Sequence, residues 1–375
     1  MDPIKTDCRH FRPDRPCTPH KEHGVVCATC TAHYDPIRTR ILVVKLHAVG
    51  DVLRTTSLLP GIHRRWPGAH VTWITSRAAA TLFEGNALVD RVLIFPGHSP
   101  VELDVERFDV IISPDAAPES CSLARYARGD QRIGFDMTDR CAPVPMSPAA
   151  ERWLELGIRD DKKKANRLTY QEHMAAIMGV DYRQEPPILE LSEDDLAQGR
   201  ALKVRHPSKA GQKIIGLNTG AGGRWRFKRW TEDGFARLIS RLLDDGRQVW
   251  LLGGPEEVER NARLAARTGG QVVETGCGNT LREFAGIVDA CDAIVTGDTL
   301  ALHIAIARRK PVVVLFGPTS LHEIEVFGRG ERIAPDLDCL VCYKQDCDFV
   351  PNCMDSITPD TVHAAVTRQL RTLPA

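Results

Sequence analysis

Residues 291–319 read CDAIVTGDTLALHIAIARRKPVVVLFGPT and hold the clearest fold signal in the chain. A short apolar strand, Ala293–Thr296, leads through a glycine-containing turn into a segment of helical length, Thr299–Arg308, and a second strand follows at Pro311–Phe316. Strand, helix and strand in this order are typical of a parallel sheet. Asp298 can cap the helix, but the same turn offers backbone amides and the helix dipole to a phosphate. The local sequence leaves both interpretations open.

The same alternation occurs in two series along the chain, which predicts two domains. The first series consists of strand Ile41–Leu46, helix Val52–Trp66, strand Val71–Ile74, helix Ala78–Gly85 and strands Arg91–Phe95 and Val110–Ser113. The second series begins with strand Ile214–Asn218, helix Asp233–Asp244, strand Gln248–Leu252 and helices Glu256–Thr268 and Thr280–Ala290, and ends with the stretch quoted above. We therefore expect an α/β fold of two doubly wound halves with ligands in the cleft, beyond the carboxyl ends of the strands.

The domain boundaries follow from changes in composition. We expect a polar, Cys/His-rich arm at 1–36, a first domain with linker at 37–190, a second domain at 191–357 and a C-terminal helix at 358–375. Residues 150–210 are charged and contain a break at Glu185-Pro186-Pro187, so they are expected to form the linker apart from a helix at Tyr170–Met178. The charged run Asp160–Lys164 is expected to be a solvated surface.

Composition excludes several classes of protein. The 375 residues contain 49 basic and 49 acidic side chains, and this balance gives no overall field to attract nucleic acid. The first residues lack the apolar segment of a secretory signal, and no apolar run approaches the length of a membrane span. We therefore expect a cytoplasmic protein without a transmembrane segment, in which the twelve cysteines are reduced or bound to metal.

Four loops that follow strands contain the candidate site residues. LHAVGDVLRT places Asp51 at the start of a helix, and its single glycine, Gly50, argues against a dinucleotide site. TGAGGRWRFKRW is rich in glycine and then cationic, so Gly220 would permit close approach of a ligand and Lys228 would meet a phosphate. In GGPEE, Glu256 or Glu257 opens a helix and is the candidate partner of ribose hydroxyls, and the fourth loop contains Asp298 and His303. Simple helix capping or an exposed basic loop would also explain each motif taken alone.

Taken together and in order, these loops resemble glycosyltransferase family 9, the ADP-heptose heptosyltransferases and their relatives. The resemblance runs from about Arg40 to Thr367, and its most specific parts are ILVVKLHAVGDVLRTTSLLPGI, FKRW, LLGGPEE and GDTLALHIAIARRKPVVVLFGPTS. It implies a GT-B architecture of two facing Rossmann-like domains, with the acceptor on the first and the nucleotide-sugar on the second. It also implies an inverting enzyme that needs no cofactor for catalysis.

The resemblance also implies roles for individual residues. Asp51 matches the general base, Lys228 the lysine on the donor phosphates, and Glu256 the carboxylate on the ribose. The turn that receives the diphosphate-sugar would consist of Asp298, Thr299 and Leu300, with His303 as the motif histidine and Gly220 in the glycine-rich donor loop. Many members have glycine where this chain has Leu300, so the space around the sugar is expected to differ.

The substrate partners implied are ADP-heptose or a similar ADP-sugar as donor and a saccharide or protein hydroxyl as acceptor. Arg54, Arg64, Arg65 and Arg77 are candidate contacts for an anionic acceptor, and oligomer formation is left open. Two other functions stay open at this point: a metal-stabilised binding or scaffold protein without turnover, and a nucleotide-sugar epimerase.

Two cysteine clusters have the composition of structural metal sites. The first is Cys339, Cys342, Cys347 and Cys353; the second is Cys8, Cys17, Cys27 and Cys30, with His10, His20, His23 and His33 as additional ligands. Four thiolates suit zinc or iron, and related autotransporter heptosyltransferases carry an iron-binding finger. Free thiols in a loop are the alternative for the first cluster, and for the arm the alternative is that it docks on another subunit. Cys121, Cys141, Cys277 and Cys291 are expected to be small buried hydrophobes.

Overall fold

The computed structural model describes residues 4–97, 99–222 and 226–372, and two six-stranded sheets lie within these ranges. The first sheet contains β1 (Thr39–Val44), β2 (Ala69–Ser76), β3 (Arg91–Phe95), β4 (Arg107–Ser113), β5 (Arg128–Met137) and β6 (Pro143–Pro145). The second contains β7 (Ile214–Asn218), β8 (Gln248–Leu252), β9 (Val273–Glu274), β10 (Ala293–Gly297), β11 (Val312–Leu315) and β12 (Gly330–Ile333). Their orders, β3-β2-β1-β4-β5-β6 and β12-β11-β10-β7-β8-β9, confirm two doubly wound halves.

All strand pairs are parallel except β5 with β6, and helices connect the strands. In the arm and first domain the helices are α1 (Thr18–His23), α2 (Val49–Thr55), α3 (Leu59–Arg65), α4 (Arg77–Ala80), α5 (Ser99–Val105), α6 (Pro118–Tyr126), α7 (Pro148–Ile158), α8 (Asp160–Ala165) and α9 (Tyr170–Met178). In the second domain they are α10 (Glu193–Arg205), α11 (Glu232–Asp244), α12 (Val258–Arg267), α13 (Leu281–Ala290), α14 (Leu300–Ala307) and α15 (Pro359–Arg371). The helix expected after residue 358 is thus present as α15.

Three expected helices are interrupted. The helix predicted at Ala78–Gly85 is α4 followed by a 3-10 turn at Thr81–Phe83. The helix predicted at Val52–Trp66 is α2, a 3-10 turn at Thr56–Leu58 and then α3, because Pro60 lacks the N–H donor and can occupy only the first turn of a helix. The helix predicted at Glu256–Thr268 begins with a 3-10 turn, Pro255–Glu257, for the same reason.

Residues 150–210, expected to form a linker with one helix at Tyr170–Met178, contain that helix as α9 and also contain α7, α8 and α10. Thr169 before α9 and Ser192 before α10 each form a capping box with the residue three positions later. The high charge of the segment concealed α7, α8 and α10. The run Asp160–Lys164 lies in α8, which has no buried residue, as expected of a solvated surface.

Apolar packing and the hydrogen bonds of Arg282 contribute to holding the two halves together. One cluster of buried apolar side chains includes residues of both sheets, among them Val43 and Ile294. Arg282, in α13, donates to the Thr81 carbonyl oxygen of the first domain at 2.7 Å and to the Asp195 carboxylate in α10 at 2.6 Å. The carboxyl ends of both sheets are consequently held near each other, as a site between domains requires.

The N-terminal arm packs on the first domain mainly through Arg9. Its guanidinium donates to the carbonyl oxygens of Gly68 and Ala69 at 3.0 and 2.8 Å and forms an ion pair with Asp90. Within residues 4–36 of the described chain, Pro19 is the only buried residue. The arm therefore has almost no apolar core of its own.

The four isolated cysteines differ in burial. Cys121 and Cys291 are buried, as expected, and burial raises the pKa of each thiol to about 12. The prediction was wrong for Cys141, which is exposed in a turn with a positive φ of 57°, and for Cys277, which is partly exposed. Both follow short strands or turns, where a single apolar residue does not indicate a core position.

Candidate functional site

A cavity of about 350 Å³ lies beyond the carboxyl ends of β7, β8 and β10. Its walls combine glycine backbone, amide and carboxylate groups and apolar side chains; they include Gly220, Gly254, Glu257, Phe284 and Leu300. Asn218 joins the two loops at its base, since Nδ2 donates to Gly220 O at 3.2 Å and to Thr299 Oγ1 at 3.3 Å. This is the position at which doubly wound sheets bind nucleotides.

Glu257, and not Glu256, is the carboxylate of this cavity. Glu257 is buried, and its Oε2 accepts from Gly254 N at 2.9 Å, while Oε1 is buried without a hydrogen-bond partner among the described residues. Gly220 is required beside it, because a Cβ at that position would lie 2.2 Å from Glu257 Oε1. Glu256 is exposed and lines a different cavity, since the 3-10 turn directs adjacent side chains to opposite sides. The structure therefore places Glu257 in this cavity and the expected Glu256 outside it.

Contacts with a lysine, and not a side-chain N-cap hydrogen bond, hold the turn before α14. The N-cap of α14 is Thr299, without a side-chain cap hydrogen bond, so the interpretation of Asp298 as the N-cap was wrong. Instead, Lys228 Nζ donates to Asp298 Oδ2 at 2.8 Å and to its carbonyl oxygen at 3.3 Å. Burial alone would raise the pKa of Asp298, but the charge of Lys228 is the main cause that lowers it to about 2. Asp298 thus holds the lysine at the entrance to α14, where the backbone amides of Thr299 and Leu300 lie.

The first domain contributes Asp51, in the first turn of α2. Its Oδ1 accepts from Arg54 Nη2 at 2.9 Å and Nε at 3.1 Å, which leaves Oδ2 outside this ion pair. Burial would raise the pKa of Asp51, but the charges of Arg54 and Lys45 outweigh it and the pKa is lowered. The side chain keeps 35% of its surface exposed. Asp51 is therefore an ionised carboxylate that a substrate can reach.

His303 brings the two halves of the site into contact. It is buried in α14, and a Cβ on Gly50 would lie 2.8 Å from its Cδ2 atom, so only glycine fits between α2 and the histidine. Burial, followed by the charge of Arg54, lowers the pKa of His303 to about 4. The ring is consequently neutral at physiological pH and adds no charge between Asp51 and Asp298.

The structure thus groups most of the expected residues in one cleft. Asp51, Lys228, Asp298 and His303 interact electrostatically, and Gly220, Thr299 and Leu300 line the adjoining cavity. Of the glycine-rich loop, residues 223–225 lie outside the described residues. Sequence reasoning missed Asn218, for which the only signal was a polar residue at the end of a buried strand.

Of the four arginines proposed for an anionic acceptor, Arg54 contacts Asp51 in the cleft, and Arg64 and Arg65 are engaged elsewhere. Arg64 forms an ion pair with Glu185 at 2.6 Å, and Arg65 donates to the carbonyl oxygens of Met178 and Gly179. Both therefore fasten α3 to the segment after α9. Arg77 lies exposed at the start of α4.

Each cysteine cluster lines one cavity. Cys339, Cys342, Cys347 and Cys353 border a cavity of about 390 Å³, and Cys8, Cys17, Cys27 and Cys30 border one of about 410 Å³ together with His10, His20 and His33. His23 stacks on His33 with ring centroids 4.5 Å apart. Burial first, and then the nearby Cys342, Cys347 and Cys339, raise the pKa of Cys353 to about 11. Among the described residues, no three His, Cys, Asp or Glu side chains are already arranged to hold a metal ion.

Facing doubly wound domains, with a nucleotide-sized cavity in one and an ionised carboxylate from the other beside it, define the GT-B class of glycosyltransferases. The family model of glycosyltransferase family 9 (heptosyltransferase) matches residues 101–351, and the chain belongs to this family. Lipopolysaccharide heptosyltransferase 2 of Escherichia coli strain K12 is 37% identical over 311 residues, which are 75% of this chain and 83% of that protein. The scaffold and epimerase alternatives are not favoured, since the family consists of glycosyltransferases.

Solved structures agree on the fold. A glycosyltransferase family 9 structure from Veillonella parvula DSM 2008 has a TM-score of 0.74 at 17% identity and covers 89% of this chain and 98% of its own. The dodecameric iron-containing heptosyltransferase TibC in complex with ADP-D-beta-D-heptose has a TM-score of 0.57 at 14% identity and covers 90% of this chain and 77% of its own. Within the described part of this chain, none of the helices has the length and apolar character needed to cross a membrane.

Proposed function

We propose that this chain transfers a heptose from ADP-heptose to a hydroxyl of a lipopolysaccharide core saccharide, with inversion at the anomeric carbon. The observation that carries the proposal is the buried Glu257 carboxylate in a glycine-lined cavity, whose Oε1 has no hydrogen-bond partner among residues 4–97, 99–222 and 226–372. A ribose hydroxyl would donate to that oxygen, and Phe284 and Leu281 offer apolar surface to a base. The name of the 37% identical relative supports heptose and the lipopolysaccharide acceptor, and the TibC complex supports ADP as the nucleotide.

The proposed reaction assigns one task to each side of the cleft. The acceptor oxygen attacks the anomeric carbon, the bond from that carbon to the diphosphate oxygen breaks, and the acceptor proton passes to Asp51 Oδ2. The transition state resembles an oxocarbenium ion, so this proton is transferred late. The departing ADP gains negative charge, which Lys228 and the amides of Thr299 and Leu300 stabilise from fixed positions. No catalytic metal is part of this scheme.

The first test is nucleotide binding measured by isothermal titration, followed by transfer from ADP-heptose to a core saccharide that lacks the heptose. We expect ADP to bind more tightly than UDP, and Glu257→Ala to weaken ADP binding about tenfold or more, because a hydroxyl loses its charged acceptor. Glu256→Ala is the matched control and should leave binding unchanged. Equal effects of the two substitutions would contradict the assignment of the cavity. Transfer to protein but not to saccharide would contradict the proposal that the acceptor is a core saccharide.

We also propose that the segment Cys339–Cys353 binds one structural zinc or iron ion. Four thiols at one cavity supply a suitable donor set, and the relative TibC is described as iron-containing. The arm cysteines are the second proposed metal site, since little apolar packing holds the arm together. All twelve cysteines are free thiols, which supports a cytoplasmic location for the protein.

Elemental analysis of the purified chain tests the two metal sites separately. We expect Cys342→Ser with Cys347→Ser to remove one metal equivalent, and Cys27→Ser with Cys30→Ser to remove another. Cys141→Ser, at an exposed cysteine outside both clusters, should remove none. A metal content unchanged by either pair of substitutions would refute the corresponding site.

A further inference from the structure

Tyr343 lies within the cysteine-rich segment but contacts both domains. Its hydroxyl accepts from Ser320 N at 3.3 Å and donates to Glu323 Oε1 at 3.4 Å, both in the loop after β11. The Lys163 ammonium of α8, in the first domain, lies 4.4 Å from the centroid of the Tyr343 ring. Tyr343 is thus placed where the second domain's loop and the first domain's helix meet.

A continuous set of contacts leads from Glu323 to the proposed base. The Glu323 carbonyl oxygen accepts from Tyr170 N at 3.1 Å, at the first residue of α9. The Arg54 guanidinium lies 3.7 Å from the centroid of the Tyr170 ring, and Arg54 holds Asp51 through their ion pair. The Tyr170 hydroxyl lies 2.8 Å from Thr55 Oγ1, which donates to Asp51 O at 2.6 Å. Both the backbone and the carboxylate of Asp51 are therefore located through Tyr170.

Glu323 also interacts with Arg54 through its charge. Burial raises the pKa of Glu323, while the charge of Arg54 lowers it, so the carboxyl and the guanidinium interact across the domain boundary. The negative charges of Asp298 and Asp51 act in the opposite sense to Arg54 and raise the pKa of Glu323. Through its hydrogen bond, the Tyr343 hydroxyl sets the position of the Glu323 carboxyl relative to Arg54.

We propose that Tyr343 and Glu323 are positioning residues for Asp51, through which the cysteine-rich segment sets the relative placement of the base and the donor. Neither residue touches substrate in this scheme. The inference rests on the proposed function, because it assigns the base to Asp51. It gives the segment a task in the reaction besides holding a metal.

The test compares kcat with donor binding in Tyr343→Phe, Glu323→Gln and the double variant. We expect each single substitution to lower kcat about fivefold to tenfold, the equivalent of one lost hydrogen bond. ADP affinity and the KM for donor should change less than about twofold, since Glu257 and Lys228 are untouched. The double variant should be no slower than the slower single variant, because both residues act through one contact. Tyr126→Phe, the same change at an exposed tyrosine, is the matched control.

Two results would overturn the inference. One is an unchanged kcat in Tyr343→Phe; the other is a parallel loss of kcat, ADP affinity and thermal stability, which would indicate a merely structural tyrosine. Amide hydrogen exchange of residues 49–55 provides a readout that needs no turnover: Tyr343→Phe should speed exchange in α2, while Tyr126→Phe should not. If the unmodified chain transferred no sugar, the proposed function would fail, and this exchange measurement would still decide the coupling.

Discussion

Asp51→Asn should lower kcat about a thousandfold and leave ADP affinity unchanged, because the base is lost while the donor cavity in the other domain stays intact. Asparagine keeps the size of the side chain and an oxygen for Arg54, so the effect reports the proton acceptor and not a collapsed α2. The measurements are ADP release during transfer and isothermal titration with ADP. Asp139→Asn, at a carboxylate that is 97% exposed, is the control. A kcat within about threefold of the unmodified chain would exclude Asp51 as the base.

The pH dependence gives an independent check on Asp51. Arg54 and Lys45 depress its pKa, so the carboxylate is ionised throughout the neutral range and kcat/KM should fall only in acid, below the usual aspartate pKa of about 3.9. Arg54→Met removes one of these charges and should raise the pKa of Asp51. The acidic limb of the profile should then move to higher pH. An acidic limb at the same pH in Arg54→Met as in the unmodified chain would show that Arg54 does not set the charge of Asp51.

Lys228→Met should lower kcat about a hundredfold or more and weaken ADP binding, because the departing diphosphate loses its cation. Removing the lysine also leaves the Asp298 carboxylate beside the phosphates without its partner. Lys228→Met combined with Asp298→Asn should therefore recover part of the ADP affinity but not the rate. Titration with ADP and single-turnover transfer separate the two effects.

The control for this experiment is Lys209→Met, at an exposed lysine in the loop before β7. Full recovery of the rate in the double variant would mean that Lys228 serves only to neutralise Asp298. An unchanged ADP affinity in Lys228→Met would place the diphosphate elsewhere in the cleft.

The sheet strands were the most predictable part of the fold. Runs such as 249–252 and 312–315 are apolar throughout, as is typical of buried parallel strands, and the predicted bounds of β8 and β11 agree with the structure within about two residues. By contrast, β5 was missed, because its RGDQRIGFDM sequence has charged residues along a partly exposed strand. Helices α7 and α10 were missed for a similar reason, since their stability comes from packing that composition does not reveal.

The site residues also divide into those that the sequence could locate and those that it could not. The residues that follow strands at fixed turns, Asp51, Asp298 and Thr299, could be located from sequence because the topology places every such loop at one edge. The choice between Glu256 and Glu257 depended on a 3-10 turn that the sequence did not specify. Tyr170, Glu323 and Tyr343 come from separate segments with no common motif.

The sequence by itself determined the class of fold, the family and the loops that carry the chemistry, because strand periodicity and turn residues are local properties. Only the tertiary structure decided which side chains share a charge environment: that Asp298 pairs with Lys228, that Arg54 restrains Asp51, and that a tyrosine beside Cys342 reaches the loop at Glu323. These pairings depend on how two domains and their loops pack. Distances between residues far apart in sequence are set by that packing, and no local pattern records them.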